Sequence, residues 1–200
     1  PAKVILVTSS VPDEGKTTVA VNIAALLAQS GKNILFVEAD LRQPGAKDHN
    51  LIESSGSARP GLSDLLSDPE RVLVTSQVTG APQMQALPAG KVTSYPAELL
   101  SSDRMRYLLE QWKGKYDHIV LDSPSLLDVT DPLILSQYAD ITLLVARYGY
   151  TSNKSLERAY MMLASNSDTR IGVVLNDADR SSVSYTDYYG YSGSTYYQPS

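Results

Sequence analysis

Ser10-Val11-Pro12-Asp13-Glu14-Gly15-Lys16-Thr17 constrains this chain more than any other segment, because of what stands on either side of it. Upstream, Lys3-Val4-Ile5-Leu6-Val7-Thr8 is a short β-branched run that reads as a strand buried on both faces. Downstream, from Lys16, apolar residues take helical spacing, with Val19, Ile23, Leu26 and Leu27 expected on one stripe and Gly31 as the C-terminal stop. A strand, an eight-residue loop ending Gly-Lys-Thr and a helix form a phosphate cradle. Backbone N–H groups from Glu14 to Thr18 converge at the positive end of the helix. Lys16 is placed to neutralise the β and γ phosphates, and the Thr17 hydroxyl to ligate Mg²⁺. Ser10 stands where this spacing normally has its first glycine.

The remainder alternates strand and helix. Residues 33–37, 118–121, 141–145 and 171–175 read as strands, and 98–112, 131–138 and 153–165 as helices. Residues 41–95 are less regular, carrying many Pro and Gly breakers and a short helix expected at Leu62–Leu66. Strands alternating with helices imply right-handed crossovers and an α/β fold of the P-loop NTPase type, a mostly parallel sheet covered by helices on both faces. From Ser181 the aliphatic content falls to Val183 and Ser, Gly and Tyr take over. The expected organisation is therefore one domain over residues 1–180 and a mobile tail over 181–200.

Two further elements complete a phosphoryl-handling site. The second strand ends Val37-Glu38-Ala39-Asp40, and period-two alternation puts Glu38 and Asp40 on one side, toward the crevice beyond the strand. Asp122 ends the third apolar run before Ser123-Pro124, the form of a Walker B carboxylate that holds Mg²⁺ directly or through water. ATP and Mg²⁺ are the implied cofactors. A net charge of −5 argues against nucleic acid as a partner, and the absence of cysteine excludes thiolate metal sites and disulfides. No apolar run is long enough to cross a bilayer. The start at Pro1, directly before a strand, is expected to mark a piece of something longer.

Six of the thirteen tyrosines, Tyr185, Tyr188, Tyr189, Tyr191, Tyr196 and Tyr197, fall in the tail, where no packed core accounts for them. A kinase acting on tyrosine needs a carboxylate to accept the phenolic proton, and Glu38 and Asp40 are the candidates. Together these features resemble the bacterial tyrosine kinases that accompany exopolysaccharide and capsule export. The resemblance rests on residues 10–17, 38–42, Asp122-Ser123-Pro124, Ala146-Arg147-Tyr148, Gly172-Val173-Val174-Leu175-Asn176 and the tyrosine cluster. It implies that Glu38 and Asp40 work with Mg²⁺ and activate the tyrosine, that Asn176 lies near the adenine, and that the six tail tyrosines are autophosphorylated by a neighbouring subunit. It also implies a homo-oligomer that can form a ring, a transmembrane polysaccharide-export adaptor, fused or separate, other protein tyrosine substrates, and a place at the cytoplasmic face of the plasma membrane. Glu38 stands where that family usually has Asp.

The other open reading is an ATP-binding switch of the deviant P-loop class with little kinase activity, although those ATPases usually carry lysine where Val11 stands. Trp112, Tyr107 and Tyr116 are read as packing groups, His49 and His118 as isolated histidines, and Asp64, Asp128 and Asp131 as caps or turn residues. Arg147 fits either a phosphate contact or a strand-end ion pair.

Overall fold

The computed structural model describes residues 2–43, 60–68, 70–71, 73, 75–78, 80–166 and 168–178. His49 and the six tail tyrosines lie outside the described residues.

The β-branched run at the start forms β1 (Val4–Ser9), and the loop after it leads into α1 (Lys16–Gln29) and β2 (Ile34–Glu38). Then come α2 (Leu62–Ser67), β3 (Ser76–Val78), β4 (Ala81–Leu87), α3 (Pro96–Leu100) and α4 (Asp103–Lys115). The chain continues through β5 (His118–Ser125), α5 (Asp131–Ser136), β6 (Ile141–Arg147), α6 (Asn153–Asn166) and β7 (Arg170–Asn176). The sheet order is β3-β4-β2-β5-β1-β6-β7, parallel throughout except for the β3–β4 pair. The expected α/β architecture is thus present. Among the described residues no helix is long and apolar enough to cross a membrane.

Alternation along the central strands fills two layers. On one face Val4, Leu6, Leu35, Val37, Ile119 and Leu121 meet α2, α3 and α4 through Leu65, Leu100, Met105, Leu109 and Trp112. On the other, Val7, Ile34, Phe36, Val120 and Val145 meet α1. Each such large side chain, removed from water, contributes about 1.5–3 kcal/mol, which is why the middles of β1, β2 and β5 are aliphatic and aromatic and the acids of β2 and β5 come after these runs, toward the carboxyl ends.

Four local expectations change. The face of α1 that is buried is Ala20, Ala24 and Ala28, whereas Leu26 is 64% exposed; the methyl side chains let the helix sit close on the sheet, and Val19 and Leu27 pack only in part. The irregular stretch contains the hairpin β3–β4, whose short apolar runs lie among prolines. The single helix expected over 98–112 is two, because Ser102 is the N-cap of α4 and accepts from the Met105 N–H at 3.2 Å. Trp112 and Tyr116 are buried as expected, but Tyr107 is 54% exposed with the Arg104 guanidinium over its ring.

A tight crossing ties α2 to the end of β4. Leu62 and Ser63 donate backbone N–H groups to the Pro88 and Ala89 carbonyls, at 2.8 and 2.9 Å. A Cβ on Gly61 would fall 2.2 Å from the Gly90 nitrogen, so only glycine permits this approach. Asp64 acts as the expected cap, its Oδ2 accepting from the Gly61 N–H at 3.0 Å.

Candidate active site

The phosphate loop leaves β1 and turns through two left-handed residues, Asp13 (φ 63°) and Gly15 (φ 85°), before α1 begins. Gly15 is required twice, by its positive φ and because a Cβ there would fall 2.1 Å from Nδ2 of Asn176. No side chain caps α1, and its first turn holds no acid. Its leading N–H groups and positive dipole end are therefore left for an anion. This fits the phosphates of a nucleotide over Ser10, Val11, Pro12, Asp13, Glu14, Gly15, Lys16, Thr17 and Thr18.

The β1–β5 and β2–β5 ladders bring the acids to the same sheet edge. Glu38 and Asp122 are register partners on adjacent strands, and Asp40 follows β2 by two residues. Asp122 is 2% exposed, and its Oδ1 is buried with no hydrogen-bond partner. Burial pushes its carboxyl up to about 7; the Thr17 hydroxyl and the Lys16 ammonium pull it down, and the charges of Glu38 and Asp40 push it up. A buried, under-coordinated carboxylate oxygen beside a hydroxyl is the donor chemistry of a hard cation. Thr17 and Asp122 thus fit Mg²⁺, with Asp40 at the same edge. Among the described residues no group of three His, Asp or Glu side chains is gathered as a metal cage.

The two acids of β2 differ in setting. Glu38 is 1% exposed and its Oε2 accepts from the Ala89 N–H at 3.0 Å, so it braces the exit of β4. Asp40 is 8% exposed, and its Oδ1 accepts from the N–H groups of Arg42 and Gln43 at 3.1 and 2.8 Å, which orients the carboxylate at the rim. Arg42 then forms a two-pronged pair with Asp131, at 2.9 and 3.0 Å. Asp131, expected as a cap, is instead fully buried as the partner that holds this turn against α5.

Asn176 and Arg147, both singled out in the sequence, meet the loop here together with Thr151 and Asp177, which were not. Asn176, from the end of β7, donates Nδ2 to the Glu14 carbonyl at 3.0 Å. Arg147 pairs with Asp177 at 2.9 Å and reaches the Asp13 carbonyl at 3.4 Å, so it is a strand-end ion pair that also touches the loop. The Glu14 carboxylate and Thr151 interact across the loop. Thr151 and Asp177 lie far from the loop in sequence and carry no motif, so only the fold reveals them. The hydroxyl of Ser10 is buried without a partner. His118 is a strand-end group whose Nδ1 lies 2.9 Å from the Ala2 carbonyl.

A strand–loop–helix phosphate cradle facing a buried carboxylate on the strand paired beside it, within a mostly parallel sheet, defines a P-loop nucleotide-binding domain. Comparison with known proteins narrows this. Residues 2–170 match the family described as AAA domain. Tyrosine-protein kinase YwqD of Bacillus subtilis is 33% identical over 188 residues, which cover 94% of this chain and 78% of that protein. Tyrosine-protein kinase ptk of Acinetobacter johnsonii is 35% identical over 90% of this chain but only 24% of its own length. The solved kinase domain of Escherichia coli tyrosine kinase ETK is 35% identical with a TM-score of 0.79, covering 94% of this chain and 72% of that one. The chain belongs to the bacterial tyrosine-protein kinase family. It spans about a quarter of the length of relatives such as ptk.

Proposed function

We propose that the chain is an ATP- and Mg²⁺-dependent protein-tyrosine kinase that autophosphorylates Tyr185, Tyr188, Tyr189, Tyr191, Tyr196 and Tyr197. Residues 1–180 form the kinase domain and 181–200 the acceptor tail. The observation that carries the reading is Asp122, buried with an unpartnered oxygen next to Thr17 and Lys16. Kinship with named tyrosine kinases supports tyrosine as the acceptor.

Backbone N–H groups of the loop and the Lys16 ammonium hold the β and γ phosphates, countering charge that spreads over the transferring group. Thr17, Asp122 and Asp40 hold Mg²⁺, which neutralises phosphate charge when bound. The phenolic oxygen attacks the γ phosphorus, the bond to the bridging oxygen breaks and ADP leaves. The phenolic proton passes to a carboxylate. Asp40, 8% exposed, suits that role better than Glu38, which is 1% exposed. Asn176 supports the loop from the adenine side.

The tail is proposed to be modified in a neighbouring subunit of a homo-oligomer, a ring when unphosphorylated. The kinase would act with a transmembrane polysaccharide-export adaptor at the cytoplasmic face of the plasma membrane, regulating exopolysaccharide or capsule export and modifying other protein tyrosines. To test transfer between subunits, a Lys16→Met chain with its tail is mixed with an active chain lacking residues 181–200. Phosphotyrosine is expected on the Lys16→Met chain. Its absence, while the intact chain labels itself, would restrict transfer to one subunit.

A further inference from the structure

Glu14 lies inside the phosphate loop, and its side chain is fully buried. A buried carboxylate is costly unless its oxygens are hydrogen-bonded. Here both are. Oε2 accepts from the Val11 N–H at 2.9 Å, and Oε1 accepts from the Thr151 hydroxyl. Thr151 lies in the turn between β6 and α6, and its Oγ1 in turn accepts from the Arg147 N–H at 2.7 Å while its own N–H donates to the Arg147 carbonyl at 2.9 Å. The same peptide segment is gripped on its backbone by Asn176 at the Glu14 carbonyl and by Arg147 at the Asp13 carbonyl.

We propose that Glu14 and Thr151 are positioning residues for nucleotide binding: their side-chain bond anchors the phosphate loop to the β6–α6 turn and holds its left-handed turn open to phosphate. Two observations favour a role in loop shape over a purely structural one. The same carboxylate also accepts from the Val11 N–H within the loop, so one side chain ties the loop both to itself and to the β6–α6 turn. It also restrains the segment containing Asp13 and Gly15, the two positive-φ residues that aim the following N–H groups. Glu14 precedes the N-cap of α1, where the helix dipole favours its charge. Without its donors the carboxylate would be drawn toward those same N–H groups and compete with phosphate.

The inference rests on the nucleotide-binding half of the proposed function and not on tyrosine as acceptor. The full chain is titrated with a non-hydrolysable ATP analogue and Mg²⁺ by calorimetry, with thermal melting of each apo variant alongside. Thr151→Val keeps the side-chain shape and removes the hydroxyl. It should weaken binding about tenfold, in the range expected for a hydrogen bond to a charged group, and Thr151→Ser should restore affinity to within about twofold. Glu14→Gln keeps an acceptor for Val11 and a group that Thr151 can meet, so it should lie nearer to wild type than Thr151→Val. Binding by Thr151→Val within twofold of wild type would overturn the proposal, as would a lowered melting temperature with unchanged affinity or a Ser variant no better than Val. A chain that binds the analogue normally but labels no tyrosine would count against the kinase reading while leaving this one standing.

Discussion

Replacing Lys16 by Met should lower phosphotyrosine formation by about 10²–10³-fold, the loss typical when a preorganised charge is removed from the position where negative charge develops. Lys16 opens α1 directly after the left-handed Gly15, so its ammonium is carried at the base of the phosphate cradle. It acts electrostatically on Asp122, which places it within the same cluster. Met matches the length of the aliphatic stem and propagates a helix about as well, so the fold should persist. The measurement is the rate of label transfer from γ-labelled ATP, with the melting temperature as a control on folding. Labelling within about threefold of wild type would remove Lys16 from the mechanism.

The second large effect is expected at Asp122, and it runs in opposite directions for stability and activity. Burial raises the carboxyl to about 7 in the folded chain, against 3.8 for the unperturbed group. The folded state therefore holds the proton more tightly than the unfolded state. The stability this provides is fully present below about pH 4, is lost as pH rises toward 7, and is gone above that. At neutral and higher pH the ionised carboxylate opposes folding by on the order of a few kcal/mol. Asp122→Asn mimics the neutral form, so the apo protein at pH 8 should melt several degrees higher, at about 2–4 °C per kcal/mol for a domain of this size. The same substitution should lose tyrosine labelling and most of the additional stabilisation conferred by ATP with Mg²⁺, which follows mass action on the folded state. The stability gain should shrink as pH falls toward 4. An Asn variant that melts lower at pH 8, or that keeps its Mg²⁺-dependent stabilisation, would contradict this placement of charge.

How much of the molecule could be read beforehand follows from which interactions are local. The runs of β-branched and aliphatic residues at 118–121 and 141–145 mark β5 and β6, which extend a few residues further to Ser125 and Arg147, and the phosphate loop is marked by a spacing that suits a strand–turn–helix. Glu38, Asp40 and Asp122 were legible because strand ends in a parallel sheet share one edge. Alternation could not say which carboxylate is held back: the Ala89 N–H that engages Glu38 is 51 residues away in the chain. The burial of α1 through alanines was hidden for a related reason, since hydrophobic spacing marks an apolar face but not how closely the sheet approaches it. The hairpin β3–β4 is not legible because its proline reads as a breaker, yet Pro82 lies at the start of β4, before its pairing with β2 begins at Met84, where a missing N–H costs little. Asp131 looked like a helix-start acid, and its partner Arg42, 89 residues earlier, is visible only in three dimensions.

The most direct test is to incubate the intact chain with ATP and Mg²⁺ and to measure ADP release together with the sites of phosphotyrosine by mass spectrometry. ADP release matched by phosphotyrosine within residues 185–197, absent from the Lys16→Met chain, is the expected result. ADP release with those tyrosines unmodified would contradict the kinase reading and leave an ATP-driven switch built on the same phosphate loop.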